Sequence, residues 1–155
     1  MKSYVLDASS LLRFVEDEPG AARVEELLNQ ARSGDARLIL SAVNWGEVYY
    51  VIARLRGEGE AANYSWKFRG LPVEILDAGW QRAESAGLFH KRFDVPYADS
   101  FAGSLTEDES AVLITADYDF KNAADAIAVE FLPAKKKVTL RRKAGKRGRR
   151  ASSSN

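Results

Sequence analysis

The stretch PYADSFAGSLTEDESAVLITADYDF, residues 96–120, decides the fold. It predicts a helix with an early acid, Asp99, then a polar turn, then a strand over residues 111–115 (AVLIT). That strand is apolar on both faces, so it belongs inside a sheet covered on both sides. Asp117 follows two residues after the strand, where α/β sheets set their ligand crevice. Two carboxylates are thus aimed at one sheet edge.

The rest of the chain supplies the sheet. Residues 3–6 (SYVL) predict a first strand with Asp7 directly at its end. Ser9 or Ser10 is the expected cap of a short helix through Phe14, which EDEPG breaks. Pro19 and Gly20 restart a helix to about Arg32. Residues 37–40 (RLIL) predict a second strand, with Ser41 capping the next helix over 43–56. That helix carries Val48, Tyr49, Ile52 and Leu55 on one stripe and Glu47 in about its first turn. A helix over 61–69, a strand over 73–76 (VEIL), a helix over 79–90 and a short strand over 129–132 complete the pattern. Strands alternating with helices predict an α/β fold with a mostly parallel sheet of four to five strands.

Composition narrows the chemistry. A chain of 155 residues is one domain with a real core. The absence of cysteine excludes disulfides, thiolate metal sites and a cysteine nucleophile, and a single histidine, His90, excludes a two-histidine metal site. No apolar run reaches membrane-spanning length and no signal peptide is visible, so a soluble, cytoplasmic protein is expected. The net charge of +1 conceals a split. Residues 135–150 hold ten of the 23 basic residues and none of the 22 acids, leaving −9 on residues 1–134. The ten are Lys135, Lys136, Lys137, Arg141, Arg142, Lys143, Lys146, Arg147, Arg149 and Arg150. With almost nothing apolar to bury, residues 135–155 are expected to be a disordered basic tail.

In a parallel sheet the carboxyl ends of the strands and the N-termini of the following helices share one rim. Asp7, Glu47, Asp99 and Asp117 all fall there, although they span 110 positions of sequence. Each has a plain structural reading as well: Asp7 as a helix cap, Glu47 and Asp99 as first-turn acids, Asp117 as a turn corner. Together they are harder to explain that way. Two carboxylates 5 Å apart repel by roughly 3 kcal/mol at an effective dielectric near 20, and a helix end returns only about 0.3–1 kcal/mol. Four on one rim need protons or a cation. Oxygen ligands alone select Mg²⁺ or Mn²⁺ over zinc, the layout of metal-assisted phosphodiester hydrolysis.

Four motifs in order, YVLDASSLL, AVNWGEVYY, VPYADSFAGSL and LITADYDF, resemble the PIN-domain ribonucleases, and within them the VapC-type toxins of toxin–antitoxin pairs. The resemblance spans residues 3 to about 132 and implies a three-layer α/β/α nuclease domain over residues 1–134. It implies a Mg²⁺- or Mn²⁺-dependent endoribonuclease whose metal-binding, catalytic acids are Asp7, Glu47, Asp99 and Asp117. It also implies an RNA substrate, a cognate antitoxin and a homodimer. Ser9 and Thr115 sit where members of the family place a hydroxyl near the metal, and Asp119 is the second acid of the turn. Thr106 departs from the more usual alanine, and the basic tail is an addition. That tail has two readings, a solvated charge run or a grip on RNA phosphates.

Other residues have structural expectations. His90 is a dipole partner at a helix end. Trp45, Trp66 and Trp80 are core or interface residues, and Ala98, Ala102 and Gly103 mark close helix packing around Asp99. The helices around Pro19–Gly20 and near residues 48–68 are candidates for an antitoxin groove. Rival functions remain: an RNA-processing PIN nuclease without a toxin role, or a metal-dependent binding module without hydrolysis. The Asp-x-Ser-x-Ser adhesion motif is broken by Leu11, and an Asp-x-Asp phosphatase by Ser9.

Overall fold

A computed structural model describes residues 1–136 of the chain. The elements run β1 (Lys2–Leu6), α1 (Ala8–Val15), α2 (Ala21–Arg32), β2 (Ala36–Ser41), α3 (Ala42–Arg56) and α4 (Glu58–Phe68). They continue β3 (Val73–Leu76), α5 (Trp80–Phe93), α6 (Tyr97–Asp108), β4 (Val112–Thr115), a 3₁₀ turn (Tyr118–Ala123) and β5 (Ala128–Phe131). The strands form one sheet in the order β3-β2-β1-β4-β5. Every pairing is parallel, so the sheet is wholly rather than mostly parallel.

Strand periodicity builds the layers. Successive side chains point to opposite faces. Leu6, Leu38, Leu40 and Ile114 meet Leu11, Leu27, Leu28, Val48 and Ile52 on one face. Val5, Ile39 and Leu113 meet Phe89, Ala102, Leu105 and Phe120 on the other. The result is the expected α/β/α sandwich, with β1 and β4 in its middle. β4 lies between β1 and β5, and Leu113, Ile114 and Thr115 are buried, as its apolar run requires.

Helix packing fixes where the acids stand. A Cβ on Gly103 of α6 would come within 2.4 Å of the Phe89 ring, so only glycine lets α6 approach α5 this closely. That is the packing expected of the small residues around Asp99. After β5 the chain leaves at the carboxyl edge of the sheet. Leu132 N donates to Thr115 O at 2.8 Å and Tyr118 Oη donates to Leu132 O at 2.9 Å. The buried Arg13 then donates to Pro19 O and Pro133 O, and Lys135 pairs with Glu18.

The structure corrects several local expectations. Asp7, not Ser9 or Ser10, caps α1, its carboxylate accepting from Ser10 N. α4 begins at Glu58 rather than residue 61: Gly57 turns the chain at φ 91°, and Glu58 and Glu60 suit a first turn. α5 runs past His90 to Phe93, where Asp94 stops it in a left-handed conformation. Of the α3 stripe, Val48 and Ile52 are buried but Tyr49 and Leu55 are exposed. Trp45 stacks on Phe68, whereas Trp66 and Trp80 are 74 % and 69 % exposed and lie outside the core. Lys137, Arg141, Arg142, Lys143, Lys146, Arg147, Arg149 and Arg150 of the basic tail lie outside the described residues.

Candidate metal centre

The parallel sheet brings the four predicted acids together at its carboxyl edge. Asp7 ends β1 and is 1 % exposed, with both carboxylate oxygens engaged. Ser9 Oγ donates to Oδ1 at 2.7 Å and Ser10 N to the same oxygen at 2.8 Å, while Thr115 Oγ1 donates to Oδ2 at 2.5 Å. Burial nonetheless pushes the Asp7 carboxyl upward, against the pull of these donors. Asp7 is therefore both a helix cap and a rim acid. Those two readings do not compete.

Thr115 links β1 to the next acid. Its hydroxyl accepts from Asp117 N at 2.9 Å, and Ser9 Oγ accepts from Ala116 N at 2.9 Å, so the turn after β4 is pinned against the start of α1. The two hydroxyls hold Asp7 and the turn. Asp117 in turn accepts from Asp119 N at 2.9 Å and caps the 3₁₀ turn. Carboxylate oxygens of Asp99, Asp117 and Asp119 all lie within 4.8 Å of one another. Two full charges at that distance repel by about 3 kcal/mol at an effective dielectric of roughly 20.

Asp99 registers that crowding. Its carboxyl is pushed up to about 8, first by burial, then by Asp117, and further by the charges of Asp7 and Glu47. Glu47, half-buried on α3, is near enough to act on Asp99, but neither it nor Asp7 is among the three acids that lie within 4.8 Å of one another. Asn44, one turn before it, donates to Glu47 Oε2 at 2.9 Å and to Ala98 O at 3.1 Å. Among the described residues, none of these five acids is in an ion pair with lysine, arginine or histidine. Hard oxygen donors without internal neutralisation are a fitting set for Mg²⁺ or Mn²⁺.

Asp119 enters the cluster more closely than its sequence position indicated. Asn44 was not singled out by sequence reasoning; its spacing of three residues from Glu47, on one helix face, was the available signal. His90 lies in the last turn of α5, its Nδ1 2.5 Å from Val95 O, and remains a structural residue. Lys135 and Lys136 are exposed. An apolar groove beside α1 is lined by Leu11, Phe14, Trp45, Ile52, Tyr64 and Phe68, and none of the five acids lines it. No helix among the described residues is long and apolar enough to cross a membrane.

Solved structures share this architecture. VapBC2 from Rickettsia felis, bound to a DNA fragment from its promoter, matches at TM-score 0.67 and 16 % identity, covering 84 % of this chain and 99 % of that one. DNA-bound VapBC from Salmonella typhimurium matches at TM-score 0.67 and 18 % identity, covering 84 % and 98 %. VapC20 from Mycobacterium tuberculosis, a sarcin-ricin loop cleaving toxin, matches at TM-score 0.61 and 16 % identity, covering 84 % and 99 %. At such identities the likeness is one of fold. The sequence matches none of the curated proteins. The PIN domain family model matches residues 4–126, most of the chain. With its parallel sheet and acidic rim, the chain belongs to the PIN domain family.

Proposed function

We propose that the chain is a divalent-metal-dependent endoribonuclease and the toxin of a type II toxin–antitoxin pair. One observation carries this reading: Asp99, Asp117 and Asp119 crowd together, with Asp7 and Glu47 near enough to act on Asp99, and among the described residues no cationic side chain pairs with any of them. Bound among these oxygens, Mg²⁺ or Mn²⁺ supplies an activated water and neutralises charge gathering on the scissile phosphate.

The chain's own residues do the positioning. Ser9 and Thr115 hold the Asp7 carboxylate in one orientation and fix the Asp117 turn against it. With no cation present, Asp99 retains a proton up to about pH 8, which relieves repulsion from Asp117. Loading the site releases that proton, so metal affinity rises with pH.

Four further assignments belong to this reading. The matched structures include VapBC complexes and a toxin–antitoxin complex from Klebsiella pneumoniae. They support a cognate antitoxin, for which the apolar groove beside α1 is the docking place; the homodimer is what the resemblance to the VapC-type toxins implies. VapC20, the sarcin-ricin loop cleaving toxin, supports RNA as substrate. The basic run from Lys135 to Arg150 offsets a folded part of charge −9 that repels RNA. Ten cations on a single strand release counterions at about 0.7 per phosphate neutralised. Removing residues 135–155 is expected to weaken RNA binding and flatten its salt dependence; an unchanged salt slope would retire the tail's role.

Induced expression in a bacterium, with mapping of the cut RNA ends, tests the proposal. Growth arrest and new RNA ends from the wild type, and neither from Asp99→Asn, are expected. New ends without arrest would favour an RNA-processing nuclease, and the absence of both effects would contradict the nuclease reading.

A further inference from the structure

We infer that Asn44 is a positioning residue of the acidic centre, its amide holding Glu47 in register with the start of α6; the inference rests on the metal-centre reading above. Asn44 is fully buried in the first turn of α3. Both donors of Nδ2 are used, one on Glu47 Oε2 at 2.9 Å and one on Ala98 O at 3.1 Å. The first bond grips a rim acid. The second reaches the carbonyl of the residue before Asp99. One planar amide therefore spans the two helices that deliver these acids and sets how far apart they stand.

The orientation of that amide is fixed by its partners. A carboxylate oxygen and a backbone carbonyl both require N–H, so the flipped rotamer would set oxygen against two acceptors. The chosen orientation leaves Oδ1 buried with no hydrogen-bond partner among the described residues. Buried polar atoms are almost always satisfied, and an exception calls for a reason. An apolar side chain would join α3 to α6 without an orphaned acceptor. It would not hold the Glu47 carboxylate. The unsatisfied oxygen thus accompanies a donor pair whose use is to place an acid, the role that residues behind metal ligands serve.

The test is calorimetric titration of the purified full chain with Mn²⁺. Asn44→Ala is expected to weaken binding about tenfold while the circular dichroism spectrum stays that of the wild type. In a Glu47→Asp background, where the shortened carboxylate is drawn out of the amide's reach, the same change is expected to alter affinity less than about twofold. A purely structural asparagine would give equal losses in both backgrounds, and that result would overturn the inference. So would wild-type affinity in Asn44→Ala. Should the alanine variant not fold, Asn44→Leu, which keeps the volume, is read in the same two backgrounds. A wild-type chain that binds no Mn²⁺ overturns the metal-centre reading and this inference together, whereas normal wild-type binding with an indifferent Asn44 overturns this inference alone.

Discussion

At the C-terminal end of α6, Glu107, Asp108 and the following Glu109 are all met by arginine. Arg92 pairs with Glu107 at 2.8 Å, Arg82 with Asp108 at 3.0 Å, and Arg37 with Glu109 at 2.8 Å. At its N-terminal end, Asp99 stands near Asp117, Asp119, Asp7 and Glu47, and among the described residues none of these acids is in an ion pair with arginine. The helix dipole favours an acid at the N-terminus and disfavours one at the C-terminus. Yet a terminus returns about 0.3–1 kcal/mol, against about 3 kcal/mol of repulsion for one carboxylate pair. The dipole therefore cannot account for five acids at one end. Among the described residues, arginine pairs with the acids at the C-terminal end of α6 and with none at the end that faces the sheet's carboxyl edge. That contrast is what the proposed metal centre rests on.

The contrast breaks most visibly in activity. Asp99→Asn or Asp117→Asn is expected to lower RNA cleavage on the order of 10³-fold, the loss of several kcal/mol of metal-borne stabilisation. Glu109→Gln at the other end is expected to leave cleavage within about twofold. A gel-based cleavage assay on folded variants checks both, and equal losses at the two ends would erase the distinction.

The second effect is on stability against pH without metal. A carboxyl raised from 3.8 to about 8 holds its proton in the folded state where the unfolded chain has lost it. Its stabilising contribution is present at low pH and disappears as pH rises through that window. Denaturant melts in EDTA are expected to show the wild type losing on the order of 3 kcal/mol relative to Asp99→Asn between about pH 4 and 8, about half of what that shift gives for a fully buried group because Asp99 is partly open to solvent. Mn²⁺ is expected to restore the wild type at high pH and not the variant.

Smaller effects sharpen the middle and far end of α6. Gly103→Ala sets a methyl against the Phe89 ring, and overpacking of that kind costs about 1–3 kcal/mol. Thermal melts read the loss, and cleavage is expected to fall with it because α6 carries Asp99. Arg37→Ala removes partners of Glu74 and Glu109 on a half-exposed surface and is expected to cost about 1 kcal/mol or less, with cleavage unchanged.

Much of this was legible in the chain. β4 was readable because AVLIT is apolar at every position but the last, which only a doubly covered strand tolerates. Parallel topology then placed Asp7, Glu47, Asp99 and Asp117 on one rim, since strand ends and following helix starts must share it. What escaped depended on neighbours distant in sequence. Three-residue spacing puts Asn44 and Glu47 on one face, but the bond to Ala98 O spans 54 residues. Trp66 and Trp80, open in the sequence to a core or an interface reading, are not core, because α4 and α5 bury Ala61, Phe68, Ala86 and Phe89 instead. Of the cap readings open in the sequence, Asp7 prevails over Ser9 and Ser10 because its carboxylate reaches Ser10 N while Thr115 and Ser9 hold it.

The most direct measurement is cleavage of an RNA by the purified protein after treatment with EDTA, followed by addition of Mg²⁺ or Mn²⁺. The account predicts no cleavage with the chelator and full recovery with either ion, and no recovery for Asp99→Asn. Cleavage that persists undiminished in EDTA would contradict it.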